Sequence, residues 1–157
     1  MLDAFVRAGY RVAFRVLRLW WFIRRPHVRG AFVAVWHDGA LLLIRNSYRG
    51  GETIPCGRIE RGETPRAGAR RELREEVGMD VPESQLTPAL EFELDFEHKH
   101  DHAHIFEWQP PERPEVRVDR REVVWGEFVP EAELAARPLA PHVVRYLAWR
   151  QRRGSTL

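Results

Sequence analysis

The stretch GRIERGETPRAGARRELREEVGM, residues 57–79, decides how the rest of the chain is read. Its second half carries a strong helix signal. Thr64 is a good N-cap, Pro65 suits the first helical position, and Gly78 can take the left-handed place that ends a helix after Val77. The spacing therefore predicts a helix from Pro65 to Val77. At about 100° per residue, Glu75 lies about 60° to one side of Glu72 and Glu76 about 40° to the other. Three carboxylates share one face, which costs stability in an isolated helix. The residues alone leave two explanations. One is a solvated acidic face partnered by Arg70, Arg71 and Arg74. The other is a bound hard divalent cation, Mg²⁺ or Mn²⁺, which oxygen ligands of this kind suit.

Working outward, Val28 to Trp36 and Ala40 to Arg45 are apolar, β-prone runs joined by His37-Asp38-Gly39. Asp-Gly supplies the positive φ of a tight hairpin turn. Asn46 to Glu52 reads as a polar loop and Thr53 to Pro55 as a short extended piece. Further strands are expected around Ala89 to Phe96, His102 to Trp108 and Val123 to Phe128, and a final helix from Pro141 to about Arg152. Strands and helices interleave with a hairpin included, so the fold class is α/β with a mixed sheet.

The order of residues around the acidic helix favours the cation. Gly57, five residues, Glu63, seven residues and then Arg71-Glu72-Leu73-Arg74-Glu75-Glu76-Val77-Gly78-Met79 resembles the signature box of the Nudix hydrolase family at every defined position. The resemblance extends over residues 28 to 153. It implies an α/β/α sandwich around the mixed sheet; residues 26–157 are read as the Nudix hydrolase domain, and residues 1–25, which lie outside the resemblance, as an extra basic amphipathic N-terminal helix. It also implies cleavage of a phosphoanhydride bond in a nucleoside diphosphate linked to another group, or in a nucleoside triphosphate, with Mg²⁺ or Mn²⁺.

Site residues follow from the same resemblance. Glu72, Glu75 and Glu76 match the carboxylates that bind metal, and Arg71 matches the arginine that orients them. Glu63 matches an auxiliary ligand, and the carbonyl of Cys56 a backbone ligand. Glu122 is placed like the extra carboxylate supplied from beyond the box, with Asp119, Glu107 and Glu97 as alternatives. Either Glu72 or Glu122 would act as general base. Arg45 and Arg49 are the expected phosphate clamps. Where relatives of this kind carry two glycines, the chain has Cys56-Gly57. Because cysteine resists positive φ, the backbone there is expected to be extended or else strained.

Bulk properties bound the rest. A chain of 157 residues, 44% hydrophobic and 31% charged, is long enough for one well-cored domain. A net charge of +2 leaves no electrostatic footprint for long nucleic acid, so the expected partner is a small nucleotide or other diphosphate. Cys56 is the only cysteine, which fits a reducing, cytoplasmic setting. Two rivals stand beside the hydrolase: a non-catalytic nucleotide-sensing or partner-binding domain, and an RNA 5′-end pyrophosphohydrolase. His98, His100, His102 and His104 alternate, but they read best as a hairpin rim with Asp101 near its turn, and the tryptophans read as core.

Residues from Leu2 to Arg25 read as one helix that Pro26 ends. Arg7, Arg11, Arg15, Arg18 and Arg25 fall within about 80° of one another on a wheel, with Phe5, Val12, Val16 and Ile23 opposite. The apolar face is expected to pack on the domain or in a homodimer, with peripheral membrane contact as the alternative.

Overall fold

The computed structural model describes residues 2–154. In chain order the elements are α1 (Leu2–Arg24), β1 (His27–His37), β2 (Ala40–Asn46), β3 (Cys56–Arg58), α2 (Pro65–Val77), β4 (Thr87–Phe96), β5 (Lys99–Trp108), β6 (Val123–Pro130) and α3 (Pro141–Gly154). Short 3-10 turns precede β4 and follow β6. The sheet runs β4-β5-β1-β2-β6, with β3 also against β1; β1 and β5 are parallel and the other pairs antiparallel.

The centre of the sheet is buried on both faces, which explains the nearly unbroken apolar runs of β1 and β2. Pleating sends Ala31, Val33 and Val35 of β1 to one side, where they join Ala69, Leu73 and Val77 of α2. Phe32, Ala34 and Trp36 go to the other side and join Val143 and Tyr146 of α3. The result is the expected α/β/α sandwich. Trp36 Nε1 donates to the Tyr146 hydroxyl at 2.7 Å, so the buried ring nitrogen is satisfied.

Local signals act where the sequence puts them. Thr64 Oγ1 accepts from the Ala67 amide at 3.1 Å, Pro65 opens α2, and Gly78 closes it at φ 72°. The β1–β2 turn has φ 45° at Asp38 and 71° at Gly39, as a twisted hairpin requires. Cys56 is not among the positive-φ residues and lies at the start of β3, so the extended alternative holds there.

Two expectations are corrected. The β4–β5 turn lies at Glu97 and His98, with φ 53° and 65°, not near Asp101. Consequently β5 begins at Lys99, and only His98 leaves the alternation; His100, His102 and His104 stay in one strand. The second correction concerns α1. It lays Tyr10, Phe14 and Trp21 against Tyr48, Arg49 and Lys99, while Phe5, Val12, Val16 and Ile23 are exposed. The helix carries two apolar stripes, and the aromatic one packs on the domain.

Candidate active site

β1 pairs with β2 only at its far end, through Trp36 and His37, while its earlier residues Gly30 to Phe32 pair with β3. The two strands thus diverge, and the segment Thr53–Cys56 fills the gap, tied by Ile44 N to Thr53 O at 2.7 Å and Val33 N to Pro55 O at 2.9 Å. This wedge holds β3 over α2. Beside it lies a cleft of about 390 Å³ lined by Cys56, Gly57, Glu72, Glu75 and Glu122, within the usual size of a ligand site. A larger cavity of about 580 Å³ opens near Pro65, Leu90 and His104, but none of the box carboxylates lines it. Chemistry, not size, selects the first.

Glu76 is the deepest carboxylate. Its Oε2 accepts from the Cys56 amide at 2.7 Å and its Oε1 faces Asn46 Nδ2 at 3.4 Å, both neutral donors. Burial pushes its pKa well above the usual carboxylate range, and the charges of Glu72 and Glu122 push the same way. Glu72 is likewise raised by burial, opposed by its bond to Arg71. These carboxylates are desolvated and repel one another; among the described residues the hydrogen-bond donors to Glu76 are neutral, and the charge of Arg49 reaches it only from beyond hydrogen-bond distance.

Arg71 organises the outer part. Its Nε and Nη2 grip both oxygens of Glu63 at 3.0 and 3.1 Å, and Nη2 also donates to the Arg58 carbonyl at 2.8 Å. Nη1 donates to Glu72 at 2.6 Å and to Glu75 at 3.2 Å. The bond with Glu63 is the main reason the guanidinium pKa is raised, and it lowers that of Glu63 in turn. Gly57 stands directly over Glu72, with no room for a β-carbon.

Glu122 comes to the same cleft from the bend just before β6, held by Tyr48 Oη at 2.8 Å. Its rivals are occupied elsewhere. Asp119 caps the turn by accepting from the amides of Arg121, Glu122 and Val123. Glu107 binds Arg150 and Tyr146 near α3, and Glu97 pairs with Arg49 at 3.1 Å.

Of the expected clamps, Arg49 lines the cleft and Arg45 does not. Strand alternation explains this: Asn46 faces α2, so Arg45 points to the opposite face, over the Trp125 ring at 5.2 Å. Residues the sequence reading missed include Asn46, Tyr48, Lys99, Asp101 and His142. Lys99 and Asp101 pair at 2.9 Å in the cleft wall. His142 is buried with Nε2 at 2.7 Å from Thr53 Oγ1. The single hydroxyl hydrogen of Thr53 has the Ile54 carbonyl at 3.0 Å and the histidine nitrogen within reach, so the tautomer of the ring decides which of Thr53 and His142 donates. The alternation of β2 could have revealed Asn46; Tyr48 and His142 meet partners 74 and 89 residues away, while Lys99 and Asp101 are near neighbours that reach the cleft only through the pairing of β5 with β1.

Comparison with known proteins gives a consistent answer. A family model described as the NUDIX domain matches residues 26–150. A "MutT-like protein" from Streptomyces ambofaciens is 44% identical over 57 residues, 36% of this chain; that segment spans only 37% of the relative's length. Among solved structures, the MutT protein from Methanosarcina mazei Go1 superposes with a TM-score of 0.72 at 19% identity, covering 83% of this chain and 96% of that one. The NUDIX domain of Shewanella oneidensis NrtR, complexed with ADP ribose, gives 0.70 at 14% identity, covering 81% and 88%. At these identities the structural likeness concerns the fold.

Proposed function

The chain belongs to the NUDIX domain family, and from that premise we propose that it hydrolyses a phosphoanhydride bond in a nucleoside diphosphate linked to another group, or in a nucleoside triphosphate. The observation that carries this is the buried Glu76 carboxylate, which has only neutral donors and faces two further carboxylates. A donor set of hard oxygens with unbalanced negative charge fits Mg²⁺ or Mn²⁺. Glu72, Glu75, Glu76 and the Cys56 carbonyl would hold the cation, with Glu63 acting through Arg71. When bound, it supplies charge neutralisation at phosphate oxygens and acidifies water.

The protein's own groups do the rest. Glu72 or Glu122 takes a proton as a water oxygen bonds to phosphorus and the bridging P–O bond breaks. Tyr48 fixes the Glu122 carboxylate through its hydroxyl. Arg71 positions Glu72 and Glu75, and Arg49 and Lys99 in the cleft wall are cations for the non-reacting phosphate. Arg45 drops to a peripheral role, because it stacks on Trp125.

Adenosine-containing diphosphates are the first substrates to try, given the ADP ribose held by the NrtR domain. The complete carboxylate set favours turnover over mere sensing of a nucleotide. A lone, buried cysteine is tolerated in a reducing setting, and cytoplasmic residence is part of the proposal. The test is a panel of nucleotide sugars, dinucleotides, nucleoside triphosphates and capped RNA with Mg²⁺ or Mn²⁺, products read by mass. Failure of wild-type protein to turn over any of them, with metal bound, would defeat the reading.

A further inference from the structure

We propose that α1 docks on an anionic membrane surface through its outward face. Among the described residues, the exposed large apolar side chains are concentrated in α1, with Val144 of α3 the one elsewhere. Phe5, Val12, Val16, Leu19 and Ile23 form one stripe, 60–74% exposed, about 40° either side of its centre or less. The aromatic stripe that packs on the domain lies about 150° away around the helix. The domain therefore holds one side of α1 and presents the other to whatever lies outside. No helix among the described residues is long and apolar enough to cross a membrane, so α1 would lie in the interface plane.

Charge decides between a membrane and a second copy of the chain. Arg7, Arg11, Arg15, Arg18 and Arg24 lie in the helix, against a single carboxylate, Asp3. Asp3 is engaged by Arg121 at 3.1 Å. Arg15 borders the stripe about 40° from its edge, with Arg11 about 40° further round, both exposed. Long arginine stems beside an apolar stripe let the guanidiniums reach headgroup phosphates while the aliphatic tips enter the acyl boundary. A second α1 would offer these guanidiniums more guanidiniums. Lipid phosphate offers the opposite charge. Docking keeps the cleft, walled in part by Leu17 and Trp21 on the opposite side of α1, about one helix diameter, roughly 10 Å, from the membrane surface.

The test is sedimentation of the full-length protein with vesicles of equal parts phosphatidylcholine and phosphatidylglycerol, or of phosphatidylcholine alone, with light scattering to give its mass in solution. The wild type is expected to pellet with the anionic vesicles and to be released by salt that shortens the screening length. Val16→Glu with Ile23→Glu is expected to weaken partitioning roughly tenfold or more, and Arg11→Glu with Arg15→Glu to weaken it as well. Val144→Glu, at an exposed apolar position on α3, is expected to behave as wild type. Binding needs no turnover, so Glu76→Gln protein should pellet equally whether or not the hydrolase reading holds. Wild type that stays in the supernatant overturns the proposal. So does a solution dimer that Val16→Glu with Ile23→Glu converts to monomer.

Discussion

A β-carbon placed on Gly57 would sit 2.0 Å from Oε1 of Glu72, far inside any permitted contact. The backbone of β3 is therefore pressed against the carboxylate proposed to bind metal and serve the water. Gly57→Ala is expected to leave the fold standing, because the clash falls on the far end of a flexible side chain. The displaced carboxylate is the expected casualty. A misplacement of this size should lower kcat by roughly 10²-fold. Steady-state kinetics beside a thermal melt check it; unchanged kcat with bound metal would remove Glu72 from the chemistry.

Glu76→Gln keeps the size of the side chain and its acceptor for the Cys56 amide, but removes the deepest negative charge. Metal binding should be lost and activity should fall roughly 10²–10³-fold, the scale of one missing electrostatic element. Without metal, the variant should melt higher, because a desolvated carboxylate beside Glu72 and Glu122 is an unfavourable group in the folded chain. A gain of about 1 kcal/mol would appear as roughly 2–4 °C. Melting curves with and without Mg²⁺ decide: wild type should rise with the ion and the variant should not. A variant stabilised by Mg²⁺ as strongly as wild type would argue against the assignment.

Arg71→Lys separates charge from geometry. Lysine keeps the charge, yet a single ammonium cannot bind both Glu63 oxygens and still reach Glu72, Glu75 and the Arg58 carbonyl. Metal affinity or kcat should drop roughly 10–100-fold, the range for groups that orient ligands. Glu63→Gln should reproduce part of that loss. Substrate KM should change less than kcat, since Arg71 is engaged by the glutamates and not by substrate. An effect confined to KM would reassign Arg71 to substrate binding.

Much of this arrangement could be read from residue order alone. Thr64, Pro65 and Gly78 announce α2 because caps are local devices, and Asp38-Gly39 announces its hairpin for the same reason. The carboxylates needed only helix periodicity to fall on one face. What escaped depends on contacts between distant segments. Tyr48 meets Glu122 across 74 residues and Thr53 meets His142 across 89, and no local pattern marks either pair. Arg45 lies off the cleft for another reason: its neighbour Asn46 looks like loop, but the strand continues through it, and the pleat turns Arg45 away from α2. In α1, Tyr10, Phe14, Leu17 and Trp21 repeat at helical spacing opposite the aliphatic stripe; Tyr10 and Phe14 pack on Tyr48, and Leu17 and Trp21 wall the cleft.

His142 gives a pH prediction. Burial, aided by the charges of Arg49 and Lys99, pulls its pKa down to about 3. The folded chain therefore holds a neutral ring, whereas the unfolded chain binds a proton below about 6.5. Protons favour the unfolded state between those values. The stability this neutral ring preserves is complete above about pH 6.5, then lost progressively as pH falls toward 3, by an amount on the order of a few kcal/mol. In His142→Gln an amide can still bond to Thr53 Oγ1, but it cannot titrate. The variant is expected to lie below wild type at neutral pH through lost packing on Phe32, whose ring centroid is 4.5 Å from that of His142. Below about pH 6 the gap should narrow, because wild type carries an acid penalty that glutamine lacks. Denaturant unfolding of both proteins from pH 7.5 to 4 measures the difference. Parallel curves across that range would mean that the ring is not held neutral by the fold.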